Sequence, residues 1–61
     1  MNWLPIEVAP KDGRPFLVKD NLGLYGTGRW DKYREQYLFT DFNGEQMDGR
    51  WVKQFKPLEG T

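Results

Sequence analysis

The chain has 61 residues, with nine Lys and Arg offset by nine Asp and Glu. It contains no cysteine, histidine or serine. That composition excludes a disulfide framework, a thiolate zinc site and the Ser-His-Asp and Cys-His forms of nucleophilic catalysis. The balanced charge gives no whole-molecule field that would draw nucleic acid. The expectation is a protein without catalytic residues, metal or cofactor.

One small domain spanning residues 1–61 fits this length. Burial is worth about 96 kcal/mol against about 92 kcal/mol of ordering cost, so the fold is marginal and a partner or second copy would help it. Three Trp, three Tyr and four Phe make up 16% of the chain. Aromatics bury the most area per residue, so this richness has a plain reading as core. No apolar run is long enough to span a membrane. Met1-Asn2-Trp3-Leu4-Pro5 has neither a basic region nor an apolar signal core, and the expectation is a bacterial or viral cytoplasmic protein.

In chain order, Trp3 to Ala9 opens the fold, with Trp3, Ile6 and Val8 as the expected buried groups. Pro10-Lys11-Asp12-Gly13 reads as a turn: Pro presets φ, Asp bonds nearby backbone and Gly accepts positive φ. Pro15 to Lys19 is a β-rich strand bounded by turn residues. After the turn Asp20-Asn21-Leu22-Gly23, a second strand runs from Leu24 to Asp31, with Leu24, Gly26 and Gly28 on one face. Together these two strands predict an antiparallel hairpin. Lys32 to Gln36 is a helical turn or a loop.

Tyr37 to Phe42 is the third strand, and it precedes Asn43-Gly44, a strong hairpin signal. Glu45 to Gly49 reads either as a weak returning strand or as a polar loop. Arg50 to Phe55 is the last strand, and two-residue alternation puts Trp51, Lys53 and Phe55 on one face. Residues 57–61 are expected to fray.

Trp3-Leu4-Pro5-Ile6-Glu7-Val8-Ala9-Pro10-Lys11-Asp12-Gly13-Arg14-Pro15-Phe16-Leu17-Val18 resembles the opening of a family of small phage and prophage domains of unknown function. In that family a Trp is followed by Pro-x-Asp-Gly and an apolar strand, and the chain closes on His-Trp-Met-Pro-Leu-Pro. Gly23 to Asp31 fits the family's middle strand. Gln54-Phe55-Lys56-Pro57-Leu58-Glu59 looks like a degraded closing motif, with Gln in place of His, Phe in place of Trp and Glu in place of the last Pro. The resemblance implies a phage or prophage origin and a β-rich unit. It implies no activity, and a role for the missing His cannot pass to this chain.

Tyr33-Arg34-Glu35-Gln36-Tyr37 mixes aromatics, both charge signs and an amide, which suits a protein-binding patch. The plain alternative is a solvated connector. Tyr25, Arg29, Tyr33, Arg34 and Tyr37 are the candidate protein contacts. Gly28-Arg29-Trp30 recurs as Gly49-Arg50-Trp51, a pattern that would place two Arg-Trp platforms on neighbouring strands. With Lys53 these residues give the second reading, a single-stranded nucleic-acid face of Trp30, Trp51, Arg29, Arg50 and Lys53. The alternative is that each Trp faces the core. Asp41, Glu45 and Asp48 are the best carboxylate cluster, but their spacing matches no EF-hand loop. So small a chain is also expected to lack walls for a ligand pocket of ~300 Å³.

The fold expected is mostly β: a single small antiparallel sheet of three to five strands with at most one short helical turn. An SH3-like, partly open barrel is one form it would take. The function expected is a non-catalytic protein-interaction module that binds or inhibits a host or phage protein. The alternatives are the single-strand binder and a self-assembling structural subunit.

Overall fold

Aspartates at three strand ends set where the sheet turns. In the computed structural model, which describes residues 2–58, Asp20 Oδ1 accepts the backbone N–H of Leu22 and of Leu24, each at 2.9 Å. Asp41 Oδ1 accepts from Asn43 at 2.9 Å and from Glu45 at 3.0 Å. In both turns a glycine three residues on, Gly23 or Gly44, takes a φ near +87° that few other residues tolerate. Asp31 Oδ1 accepts from Tyr33 and Arg34. The residue that closes this third turn is Glu35, at φ 54°.

Between these turns lie β1 (Leu4–Pro5), β2 (Phe16–Asp20), β3 (Tyr25–Asp31), β4 (Gln36–Asp41) and β5 (Val52–Pro57). They form one open antiparallel sheet in the order β1-β5-β2-β3-β4. The protein is thus mostly β, with two lone 3-10 turns at Ile6–Val8 and Gly49–Trp51. The expected β2–β3 hairpin is present, with Phe16 opposite Gly28 and Val18 opposite Gly26. The strands end where their turns begin, so Leu24 and Phe42 lie just outside β3 and β4 and are exposed. Glu45 to Gly49 makes only a single bridge, Gln46 to Thr40, before the second 3-10 turn.

One face of the sheet carries the core: Phe16, Val18, Phe39, Val52 and Phe55, with Ala9 and Met47 folded over them. Ile6 and Tyr37 pack at its margin. Phe16 meets Phe55 edge-on at 5.3 Å and Tyr37 at 5.8 Å between ring centroids. Their quadrupoles favour that tilt over a face-to-face stack. Gly26 and Gly28 make the packing fit. A Cβ on Gly28 would lie 2.7 Å from the Phe39 ring and 2.8 Å from the Phe16 ring. A Cβ on Gly26 would collide with the Thr40 carbonyl and lie 2.6 Å from Met47 Sδ.

Several expectations are corrected. Val8 is largely exposed, because its 3-10 turn aims Ile6 inward and Val8 outward. Trp3 lies on the opposite face of the sheet from the core, against Tyr25, Lys19 and Lys56. The last strand begins at Val52, since Arg50 and Trp51 belong to the 3-10 turn. Lys19 pairs with Gln54 while Asp20 pairs with Val52, so Lys53 is an extra, bulged residue. That insertion turns both Val52 and Phe55 inward and breaks the predicted Trp51/Lys53/Phe55 face. Pro57 is part of β5, and residues 59–61 of the expected frayed tail lie outside the described residues. No helix among the described residues is long and apolar enough to cross a membrane.

The tight approach at Gly26 gives a prediction. Gly26→Ala meets a backbone carbonyl that cannot swing aside, so it destabilises the fold by about 3 kcal/mol, the upper end of ordinary overpacking. Urea denaturation of the purified variant measures this. A loss of only a few tenths of a kcal/mol would show that β3 and β4 can part without cost.

Candidate functional site

The basic residues divide into two kinds. Arg14, Arg34 and Arg50 each pair with a nearby aspartate: Asp12 at 3.2 Å, Asp31 at 3.7 Å and Asp48 at 2.8 Å. Arg29 and the five lysines have no such carboxylate among the described residues. Four of these lysines rest instead on aromatic rings. Lys11 Nζ lies 4.7 Å from the centre of the Trp30 ring, and Lys32 Nζ lies 5.4 Å from that of Tyr33. Lys19 and Lys56 share Trp3, at 4.6 and 5.0 Å. A ring face attracts a cation but leaves its charge uncancelled.

These contacts form two surfaces. The first is a cleft of about 330 Å³ at the Asp31 end of β3, lined by Lys11, Arg29, Trp30, Lys32 and Tyr33 beside the Asp12-Gly13 bend. It is an open cleft between the β3–β4 turn and the Pro10–Gly13 segment rather than a pocket walled on all sides. Trp30 is half-buried, with its ring edge-on to Tyr37 at 4.9 Å. Tyr33 is 88% exposed at the tip of the turn. The second surface is the open face of the sheet, where Trp3 reaches over β5 and β2 to Tyr25 of β3 at 5.9 Å.

The structure brings Arg29, Trp30 and Tyr33 together and separates the other predicted residues. Arg34 sits on the same turn as Tyr33 but is tied to Asp31. Tyr25 lies at the far end of β3 from that turn. The Tyr37 ring packs beside Phe16 and Phe39, and its hydroxyl donates to the Ala9 carbonyl at 2.8 Å. Burial pushes the Tyr37 phenol above its ordinary pKa. Its polar tip is thus used in holding the N-terminal segment to the sheet.

The two Gly-Arg-Trp copies do not form paired platforms. β3 and β5 are separated by β2, and the second copy is a 3-10 turn. Trp51 is 48% exposed there, and its carbonyl accepts from the Asn21 N–H of the β2–β3 turn. Arg50 is committed to Asp48 through Nε and Nη2, and Lys53 projects from the bulge. The carboxylate cluster is divided too: Asp41 caps its turn while Asp48 holds Arg50. Among the described residues no group of three or more acidic side chains is placed to hold a metal ion.

Sequence reasoning missed the roles of Trp3, Lys11, Lys19, Lys32 and Lys56. Strand alternation could have found Lys19, which lies opposite in parity to buried Val18. The remaining contacts join segments distant in sequence. Comparison with known proteins finds no matching family model, no matching curated protein and no matching solved structure.

Arg50 holds the Asp48 carboxyl down to about 2, through the side-chain hydrogen bonds first and then its own backbone N–H. A carboxylate depressed in the fold adds stability that is complete above its unfolded pKa, near 4, and fades as pH falls toward 2. Arg50→Ala moves the Asp48 titration upward toward the ordinary carboxylate range. Carboxyl ¹³C chemical shifts followed against pH measure it. An unmoved Asp48 midpoint would refute the pairing.

Proposed function

We propose that this protein is a non-catalytic protein-interaction module that binds or inhibits a host or phage protein. The observation that carries the proposal is one cleft lined by Trp30 and Tyr33 together with Lys11 and Lys32, and bordered by Arg29. Arg, Trp and Tyr are the residue types that dominate interface energetics, because each buries a large area and keeps a directional polar group. A cleft of this size takes one or two anchor side chains of a partner rather than enclosing a metabolite. The absence of Ser, His and Cys from the sequence supports a role in binding over one in turnover. The resemblance of Trp3 to Val18 to small phage and prophage domains supports a phage or prophage origin, and with it action in the cytoplasm of a bacterial host.

The test is an affinity pull-down from bacterial lysate with nuclease present, comparing the wild-type chain with the double variant Arg29→Ala/Tyr33→Ala. The account expects a stoichiometric protein partner retained by the wild type and lost by the double variant, with both proteins folded by circular dichroism. Equal recovery on both would place the binding surface elsewhere. Loss of every partner on nuclease treatment would refute the interaction reading.

A further inference from the structure

We infer that the open face of the sheet binds a single strand of nucleic acid across Trp3, Tyr25, Lys19 and Lys56. This surface meets the Tyr33 cleft only at Arg29, which borders both, and the inference does not depend on that cleft's having a partner.

The first support is how the charge is sorted. The chain is neutral overall, but among the described strand residues the charges of this face are mostly basic. Strand alternation places Lys19 of β2, Arg29 of β3 and Lys56 of β5 opposite the core. The one strand carboxylate of the same parity, Asp31, is bound to its own turn and to Arg34. Asp20 and Asp41 have the parity of the core face and cap their turns. A locally cationic surface therefore exists in a molecule with no net field.

The second support is the aromatic pair. Trp3 and Tyr25 lie side by side at 5.9 Å with planes 41° apart, and Tyr25 is 47% exposed. Both ammonium groups rest on the Trp3 ring, which sets two cations beside the exposed Tyr25 ring, where a base would stack. Base stacking on a ring with phosphate paired to adjacent lysine is how single strands are held without sequence preference. From Tyr25 to Arg29 the face runs about 13 Å along β3 at the rise of a strand. It passes Thr27, Leu38 and Thr40, which line a shallow hollow of about 110 Å³ with Arg29.

An acidic polypeptide would meet the same charges, but it has less to hold here. Extended peptides gain most of their affinity from main-chain hydrogen bonds to a free strand edge. The strands beneath this platform, β5, β2 and β3, are all interior to the sheet. The adjacent edge, β1, is two residues long and includes Pro5. Stacking and phosphate contact need no edge.

The test uses the full chain and a fluorescein-labelled oligothymidylate of about eight nucleotides, within the range of single-strand-binding folds. Anisotropy is read at low salt and over a salt series. The inference predicts saturable binding that weakens with salt. It predicts a loss of about ten-fold or more in Lys19→Ala/Lys56→Ala, with a shallower salt dependence by roughly 1.4 log units per log unit of salt. Arg14→Ala, which removes a cation already paired at a turn, leaves affinity within about two-fold of wild type. Tyr25→Leu keeps the charges and loses the stacking surface. It is predicted to weaken binding by about ten-fold, and it serves if the double lysine variant does not fold. Absence of binding at low salt would overturn the inference. So would equal losses in Arg14→Ala and the lysine variant, or binding of a labelled oligoglutamate with no binding of the oligothymidylate.

Discussion

The close approach of β3 to the aromatic core is the constraint on which the rest of the structure depends. β3 presents hydrogen atoms where a sheet strand usually presents side chains, at Gly26 and Gly28. The Phe39 and Phe16 rings fill the space over Gly28, and Met47 fills that over Gly26. The described residues form one sheet and two 3-10 turns with no second layer, so the core is covered by the few groups that fold back over it. Here these are Ile6 and Ala9 from one end and Met47 from the other. The glycines let those groups settle close enough to exclude water. Dispersion and burial both depend on that closeness, because a gap of a fraction of an ångström forfeits much of the contact energy.

Because the large apolar groups are drawn to one side of the sheet, the other side is left to amphipathic ones. Lysine suits that side, since its stem lies along apolar surface while its ammonium stays in water. The Trp3 indole then gives Lys19 and Lys56 a surface to rest on. The aspartates are occupied elsewhere, in closing turns and pairing with Arg14, Arg34 and Arg50. The outcome is a neutral chain in which four lysines without a carboxylate partner among the described residues lie beside aromatic rings. One such group borders the Tyr33 cleft and the other lies on the open face. Both follow from the same division of labour between turn-forming acids and face-covering bases.

Much of the fold was legible in the sequence because its signals are local. The turns at Asp12-Gly13, Asp20 to Gly23 and Asn43-Gly44 each combine a side-chain acceptor with a residue that accepts positive φ. The β2–β3 hairpin followed from two of those turns and from alternation. The β5 bulge was not legible, because the extra residue, Lys53, fits a regular strand as well as a bulged one. Only the inward demand of both Val52 and Phe55 decides it. Trp3 was assigned to the core on hydrophobicity alone, and its place on the open face depends on β1 pairing with β5 at the far end of the chain. Of the candidate site, Arg29, Trp30 and Tyr33 were readable as interface residue types. Their lysine neighbours were not, since Lys11 meets Trp30 only through the tertiary fold.

A double-mutant cycle on Gly28 and Phe39 tests the central constraint most directly. The Phe39 and Phe16 rings share the space that a Cβ on Gly28 would need, so Gly28→Ala should cost less stability when Phe39 is already Leu, with the Phe16 part of the cost remaining. The account predicts a coupling of about 1 kcal/mol or more in that direction, within the range for residues in contact. Urea denaturation of the four proteins supplies the numbers. Additivity within about 0.5 kcal/mol would contradict the account, because the Phe39 ring would then take no part in the space the glycine leaves open.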